Sequence, residues 1–318
     1  MIIQILLLTI GFVLLIRGAN WLVDGASALA KKYNVSDLTI GLTVVAFGTS
    51  APELAVNSFA SIFNHQDIVF GNVIGSNNFN LFFILGIAGL ISPITVQSST
   101  VWKEIPFSFL AVLVLFFLTN DLIYAEKNML SRVDGLLLLT MFSIFIYYIY
   151  KQLKNDQART IAKESKLSSM KLLNYIIFGL VSLIIGGIFA VDNASKLAFT
   201  LGVSEKIIGL TIVAAGTSLP ELTTSVVAVL KKNNDIAVGN IIGSNIFNIF
   251  LILSVSSIIR PLSYDVKFNT DLLLLAGGTL FLFIAMFTGQ KKKLDRWEAM
   301  ILLITFIAYT SFLIIQEI

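Results

Sequence analysis

Apolar residues in this chain come in long blocks broken by short polar stretches, the pattern of a protein that crosses a bilayer many times. The blocks predict helices near 3–30, 38–64, 68–92, 105–119 and 131–152. A second set falls near 171–199, 206–231, 236–260, 270–288 and 298–316. A helix needs roughly 20 predominantly apolar residues to span the hydrocarbon. The polar stretch 151–171 carries Lys151, Lys154, Arg159, Lys163 and Lys166 and reads as a solvated, charged linker.

The second set of blocks repeats the first. Displaced by 168 residues, Val35-Ser36 falls on Val203-Ser204 and Ile40-Gly41-Leu42-Thr43 on Ile208-Gly209-Leu210-Thr211. Gly48-Thr49-Ser50 meets Gly216-Thr217-Ser218, and Pro52-Glu53-Leu54 meets Pro220-Glu221-Leu222. Gly75-Ser76-Asn77 meets Gly243-Ser244-Asn245, and Phe79-Asn80 meets Phe247-Asn248. About half of positions 35–94 are identical to their partners. Unrelated apolar segments coincide at Leu and Ile, but not at Gly, Pro, Asn, Ser and Glu.

Five helices per half is an odd number, so the second half enters the membrane from the opposite side. The expected fold is an all-α integral membrane protein, with ten transmembrane helices in two inverted five-helix repeats. The first repeat covers 1–152 (core motifs 41–92), the linker 153–170, and the second repeat 171–318 (core motifs 209–260). With both termini outside, inner Lys and Arg outnumber outer ones by more than two to one. That places the linker in the cytoplasm and the chain in the cell (inner) membrane.

Composition narrows the chemistry. Residues are 56% hydrophobic and 13% charged, about half the charged fraction of a soluble domain. The expected surroundings are lipid, with no nucleic-acid partner. There is no cysteine, which removes disulfides and thiolate metal sites, and the one histidine, His65, sits in a polar stretch. No cofactor is implied. Any metal handled here is bound by oxygen, which selects hard cations such as Na⁺, Ca²⁺ or Mg²⁺. The apolar amino terminus is read as a span rather than a signal peptide: Lys and Arg are missing before its apolar run, and Arg17 interrupts it.

Glu53 and Glu221 fall inside apolar helices, where a charge costs on the order of 2.5–3.5 kcal/mol on the lenient insertion scale. Their helices carry Lys or Arg only at the ends, so a bound cation is the expected partner. Pro52 and Pro220 interrupt the backbone ladder. Carbonyls near Ala46 and Thr49, and near Ala214 and Thr217, are expected to lose their helical partners and face a cavity. Ser76 and Asn80 share a helix face, as do Ser244 and Asn248. Glycines 71, 75, 239 and 243 are expected to let helices approach closely. Asn72, Asn77, Asn240 and Asn245 are ligands or interhelical glue, with equal support for each.

The two glutamates and the carbonyls of Thr49 and Thr217 can supply six oxygens, within the range calcium takes. Ser50, Ser76, Asn80 and the Ala46 carbonyl form a neutral cluster suited to a monovalent ion. Ser218, Ser244, Asn248 and the Ala214 carbonyl mirror it. Magnesium fits poorly, since it keeps its waters in near-ideal octahedral geometry.

At these residues the sequence resembles the sodium/calcium exchanger branch of the cation/calcium exchanger superfamily. The resemblance spans nearly the whole chain, with Gly48–Asn80 and Gly216–Asn248 as the repeat cores. It implies ten helices in two inverted halves, and calcium at Glu53, Glu221, Thr49 and Thr217. It further implies sodium sites completed by Ala46, Ser50, Ser76, Ala214, Ser218 and Ser244, and sliding of the first and sixth helices. Some prokaryotic relatives carry aspartate where this chain has Asn248, so this site holds two formal charges rather than three. The alternatives are a proton- or potassium-dependent calcium antiporter, a cation channel, and an intramembrane enzyme. The proton-coupled branch has Gly-Asn-x-x-Glu in place of Gly-Thr-Ser-x-Pro-Glu, which favours sodium. A complete inverted repeat in one chain favours alternating access over a pore and makes a monomer sufficient. No hydrolase residue set appears, so no enzymatic activity is expected.

Overall fold

The computed structural model describes residues 1–120, 128–159, 168–202, 214–289 and 291–317. Within them the chain is helical apart from turns and four two-residue strands. Helix α1 is Ile2–Tyr33. The next block is broken into α2, Asp37–Thr49, and α3, Ala51–Ile62, bent by 45°. Then follow α4 (Gln66–Ile91), α5 (Thr100–Thr119) and α6 (Arg132–Arg159). The second set comprises α7 (Ser169–Thr200), a single turn Ala214–Gly216, and α8 (Leu219–Leu230). It ends with α9 (Asn234–Ile259), α10 (Val266–Ala285) and α11 (Arg296–Glu317). Among the described residues eight helices are long and apolar enough to cross a membrane, and nine if the bent pair counts as one span. The expected helix start at 206, with Val203-Ser204 and Ile208–Thr211, lies outside them.

The break has a local cause. Ser50 adopts φ −83°, ψ 4°, off the helical path, and Pro52 opens α3 where its missing N–H is not needed. Ser218 repeats this at φ −90°, ψ 7°, before Pro220. Each break puts its glutamate third in a new helix, within the first turn, where exposed N–H groups favour negative charge.

The strands join the halves reciprocally. Ile94–Thr95 (β1) pairs with Lys293–Leu294 (β4), and Met129–Leu130 (β2) with Leu262–Ser263 (β3), both antiparallel. The last helix of each half opens alike: Asp134 accepts from the Ser131 N–H at 2.8 Å, and Glu298 from the Asp295 N–H at 2.7 Å.

Helices α1 and α7 pack along their length through glycines seven apart. A Cβ on Gly18 would lie 2.8 Å from the Gly179 carbonyl, and one on Gly11 2.8 Å from the Ala190 nitrogen. The halves differ in one respect. Helix α1 packs along α8, but its counterpart α7 makes at most glancing contact with α3. Lys231, just past α8, pairs with Asp24 of α1 at 2.7 Å. The equivalent aspartate, Asp192, pairs instead with Lys196 of its own helix at 2.6 Å, and Phe63 holds the place matching Lys231.

One expectation about the helices needs correction. Helix α6 runs to Arg159, seven residues into the stretch assigned to the linker. Asp156 anchors it by accepting from the Ser36 N–H at 3.1 Å and the Thr39 hydroxyl at 3.2 Å. The close approach expected at the glycines is present at Gly239 and Gly243: a Cβ on Gly239 would sit 2.9 Å from the Leu38 carbonyl, and one on Gly243 2.7 Å from the Ala46 Cβ. At Gly75 nothing described lies within 4 Å, and at Gly71 only the Phe268 ring edge at 3.9 Å. The segment that matches α2 in the second half falls largely in 203–213, outside the described residues.

Candidate cation-binding site

The two helix breaks and the middles of α4 and α9 meet in the protein interior. Glu53 and Glu221 are each only 1% exposed, so neither faces lipid. Each sits beside the other repeat's helix break, as the serine contacts show. Each carboxylate is held by a serine of the opposite repeat. Ser50 Oγ donates to Glu221 Oε1 at 3.1 Å, and Ser218 Oγ to Glu53 Oε1 at 3.4 Å. Ser50 Oγ also lies 2.9 Å from Ser244 Oγ.

A second pair of cross-repeat bonds braces the threonines. Thr49 Oγ1 donates to Asn240 Oδ1 at 2.9 Å, and Thr217 Oγ1 to Asn72 Oδ1 at 3.3 Å. Asn72 also accepts from Ser76 Oγ at 3.1 Å. Asn240 Nδ2 donates to the Glu221 carbonyl at 3.3 Å and to Ser225 Oγ at 3.0 Å. Asn77 and Asn245 bond across the repeats as well. The four asparagines that read equally as ligand or glue are therefore bound to protein partners.

Among the described residues, four buried oxygens in matched positions have no partner, Oε2 of Glu53 and of Glu221 and Oδ1 of Asn80 and of Asn248; Asn57 Oδ1 is also unpartnered. An acceptor buried without a partner carries a desolvation cost of about 1–3 kcal/mol, more for a charged group. Four in one core, two of them carboxylate, form an acceptor-rich set that a dehydrated cation satisfies.

Of the other expected ligands, Thr49, Ser50, Ser76, Ser218 and Ser244 are buried and Thr217 half-buried around this core. Ala46 is buried, and its carbonyl departs from expectation. It keeps the Ser50 N–H as a helical partner at 3.0 Å; Thr49 Oγ1 lies 3.3 Å away with its proton given to Asn240, so the second lone pair remains for an ion. The reason is that Pro52 removes the donor four residues after Gly48, not after Ala46. Ala214 begins the turn before α8, and its side chain lies outside the described set.

Sequence reasoning missed Asn57, whose Nδ2 donates to the Glu53 carbonyl at 2.7 Å. It also missed Ser225, its match in the second repeat. The signal was present: a polar residue one helical turn after each glutamate. Two further buried acids, Glu104 and Glu298, went unremarked because they lie at the ends of the predicted helices. Glu104 accepts from the Tyr148 hydroxyl and Glu298 from the Thr288 hydroxyl, so both brace helix ends. A polar cavity of about 560 Å³ near Asp24, Asp37 and Asp235 touches none of the core residues.

The profile described as "Sodium/calcium exchanger protein" matches residues 3–151 and 171–315, nearly the whole chain. This chain belongs to the sodium/calcium exchanger protein family. Among curated members, the putative antiporter CaxA of Alkalimonas amylolytica is 35% identical, over 97% of this chain and 98% of its own. The sodium/calcium exchanger MaX1 of Methanosarcina acetivorans is 32% identical, over 96% and 97%. The inner membrane protein YrbG of Escherichia coli is 36% identical, over 83% and 82%. Among solved structures, the sodium-calcium exchanger NCX_Mj soaked with Na⁺ superposes with a TM-score of 0.83 at 32% identity, covering 98% of both chains. As a member of this family the chain is a multi-pass membrane protein.

Proposed function

We propose that this chain is a secondary antiporter that exchanges Ca²⁺ for Na⁺ by alternating access. The observation that carries the reading is the symmetric core: two buried glutamates, each gripped by the other repeat's serine, each with one free oxygen. Calcium takes 6–8 oxygens in flexible geometry. Glu53 and Glu221 supply the charge, and the carbonyls of Thr49 and Thr217 join them, their hydroxyls being already committed to asparagines. Ser50, Ser76, Asn80 and Ala46 serve sodium on one side; Ser218, Ser244, Asn248 and Ala214 serve it on the other. The ions are cargo, and no bond is made or broken.

Calcium neutralises both carboxylates. An empty site leaves two uncompensated charges in a low-dielectric interior, at several kcal/mol per ion. The loaded core therefore moves past lipid more readily than the empty one, which couples the two fluxes.

The architecture that fits this reading is ten spans in two inverted five-helix repeats, 1–152 and 171–318, joined by the linker 153–170. The reciprocal strand pairs support it: an even number of spans separates the two members of each pair, so each joins turns on one membrane face, when the stretch 206–230 that ends in α8 crosses once. Both termini then lie outside and the linker inside. One chain holds both halves of the site, so a monomer suffices.

In proteoliposomes loaded with sodium, ⁴⁵Ca uptake is expected on dilution into sodium-free buffer. A proton or potassium gradient alone should drive none. Uptake that follows the pH jump instead would transfer the chain to proton-coupled exchange.

A further inference from the structure

Four asparagines at the repeat interface form a closed figure, and we propose that two of them, Asn77 and Asn245, fix the orientation of the other two toward the transported cation. The proposal rests on the exchange reading above and assigns positioning residues to its site. Asn77 Nδ2 donates to the Asn245 backbone carbonyl at 3.1 Å, and Asn245 Nδ2 to the Asn77 carbonyl at 3.3 Å. An amide that turns its nitrogen to a carbonyl turns its oxygen to the opposite side, where it can only accept. Asn77 Oδ1 accordingly accepts from Asn248 Nδ2 at 3.0 Å, and Asn245 Oδ1 from Asn80 Nδ2 at 3.1 Å.

The constraint passes down the chain of amides. With their nitrogens turned to this lock, Asn80 and Asn248 keep Oδ1 free, and both oxygens are buried without a partner. Turning either amide over sets oxygen against oxygen in the lock. It also presents an NH₂ group, which repels a cation, where a ligand oxygen stood. The lock thus supplies two oriented oxygens of no net charge beside two carboxylates. Asn77 and Asn245 act through Asn248 and Asn80 without themselves serving as ligands.

A double-mutant cycle on the full-length chain tests this: Asn77→Ala, Asn248→Ala and both together, with Asn245→Ala and Asn80→Ala as the symmetry-related cycle should one variant fail to fold. Sodium-driven ⁴⁵Ca uptake gives KM and kcat, and melting with and without calcium gives the stabilisation by the ion. Lost hydrogen bonds lower the ion-free melting temperature under either account, so the decisive reading is KM. Asn77→Ala is expected to raise KM for calcium about tenfold with kcat within about twofold, and to add nothing in the Asn248→Ala background. An unchanged KM, or equal KM effects in both backgrounds, overturns the positioning role and leaves packing glue. Wild-type protein with neither uptake nor calcium-induced stabilisation overturns the exchange reading instead, a distinct outcome.

Discussion

Glu53→Gln is expected to abolish sodium-driven calcium uptake while leaving the fold intact. The glutamine side chain has the same shape, and its amide can still meet Ser218. What it lacks is the charge. At about 4 Å and an effective dielectric near 20, two unit charges attract by about 4 kcal/mol, and calcium is divalent. A loss of at least about a hundredfold needs only about 2.7 kcal/mol of this. The sign on stability runs the other way. Without ions, the variant removes one of two buried carboxylates that repel each other, so its ion-free melting temperature should equal or exceed that of the wild type. Calcium should no longer raise it, because only an ion that binds the folded state stabilises it. Glu221→Gln should behave alike, as the pseudo-symmetry demands. Wild-type uptake persisting in either variant would falsify the site.

The second large effect lies far from the ions. Gly18→Leu should sharply reduce folded protein. A Cβ at Gly18 would lie 2.8 Å from the Gly179 carbonyl and 2.9 Å from the Leu183 nitrogen, both backbone atoms that cannot turn aside. Overpacking of side chains costs about 1–3 kcal/mol, and a backbone contact with no rotamer to yield belongs at or beyond the upper end. Gly187→Ala is the control. No described atom lies within 4 Å of a Cβ there, and alanine is the better helix former by up to about 1 kcal/mol. Thermal unfolding in detergent, followed by size-exclusion chromatography, should lower the melting temperature of the first and keep or raise that of the second. Equal melting temperatures would show that the two helices do not rely on their glycine seam.

Much of this molecule is written in its repeated polar residues. A buried acid in an apolar helix is costly, and Glu53 and Glu221 recur with their glycine, serine and proline neighbours, so their meeting in the core was readable. The breaks at Ser50 and Ser218 were readable from the prolines that follow. A proline frees the carbonyl four residues before it, Gly48 here, so the reading at Ala46 was displaced by two residues. The roles of Asn77 and Asn245 were not readable at all. An asparagine offers a donor and an acceptor at one end, and only the partner across the repeat decides which faces the ion. The pairing of α1 with α7 is likewise a tertiary fact, since glycines seven apart are also compatible with a flexible helix. Helix α6 outran its expected end because Asp156 found the start of α2, a contact between residues more than a hundred positions apart.

The lysine clip between α8 and α1 has a consequence for how the molecule rests. Two halves copied from one plan would, if identical, have no preferred side. Here one doorway is bolted by Lys231 on Asp24, while the opposite doorway has a phenylalanine where the bolt would be and an aspartate already occupied by its own neighbour. A seesaw with a weight on one arm settles the same way whenever nobody sits on it. An exposed ion pair of this kind is worth up to about 1 kcal/mol, enough to favour one resting arrangement severalfold.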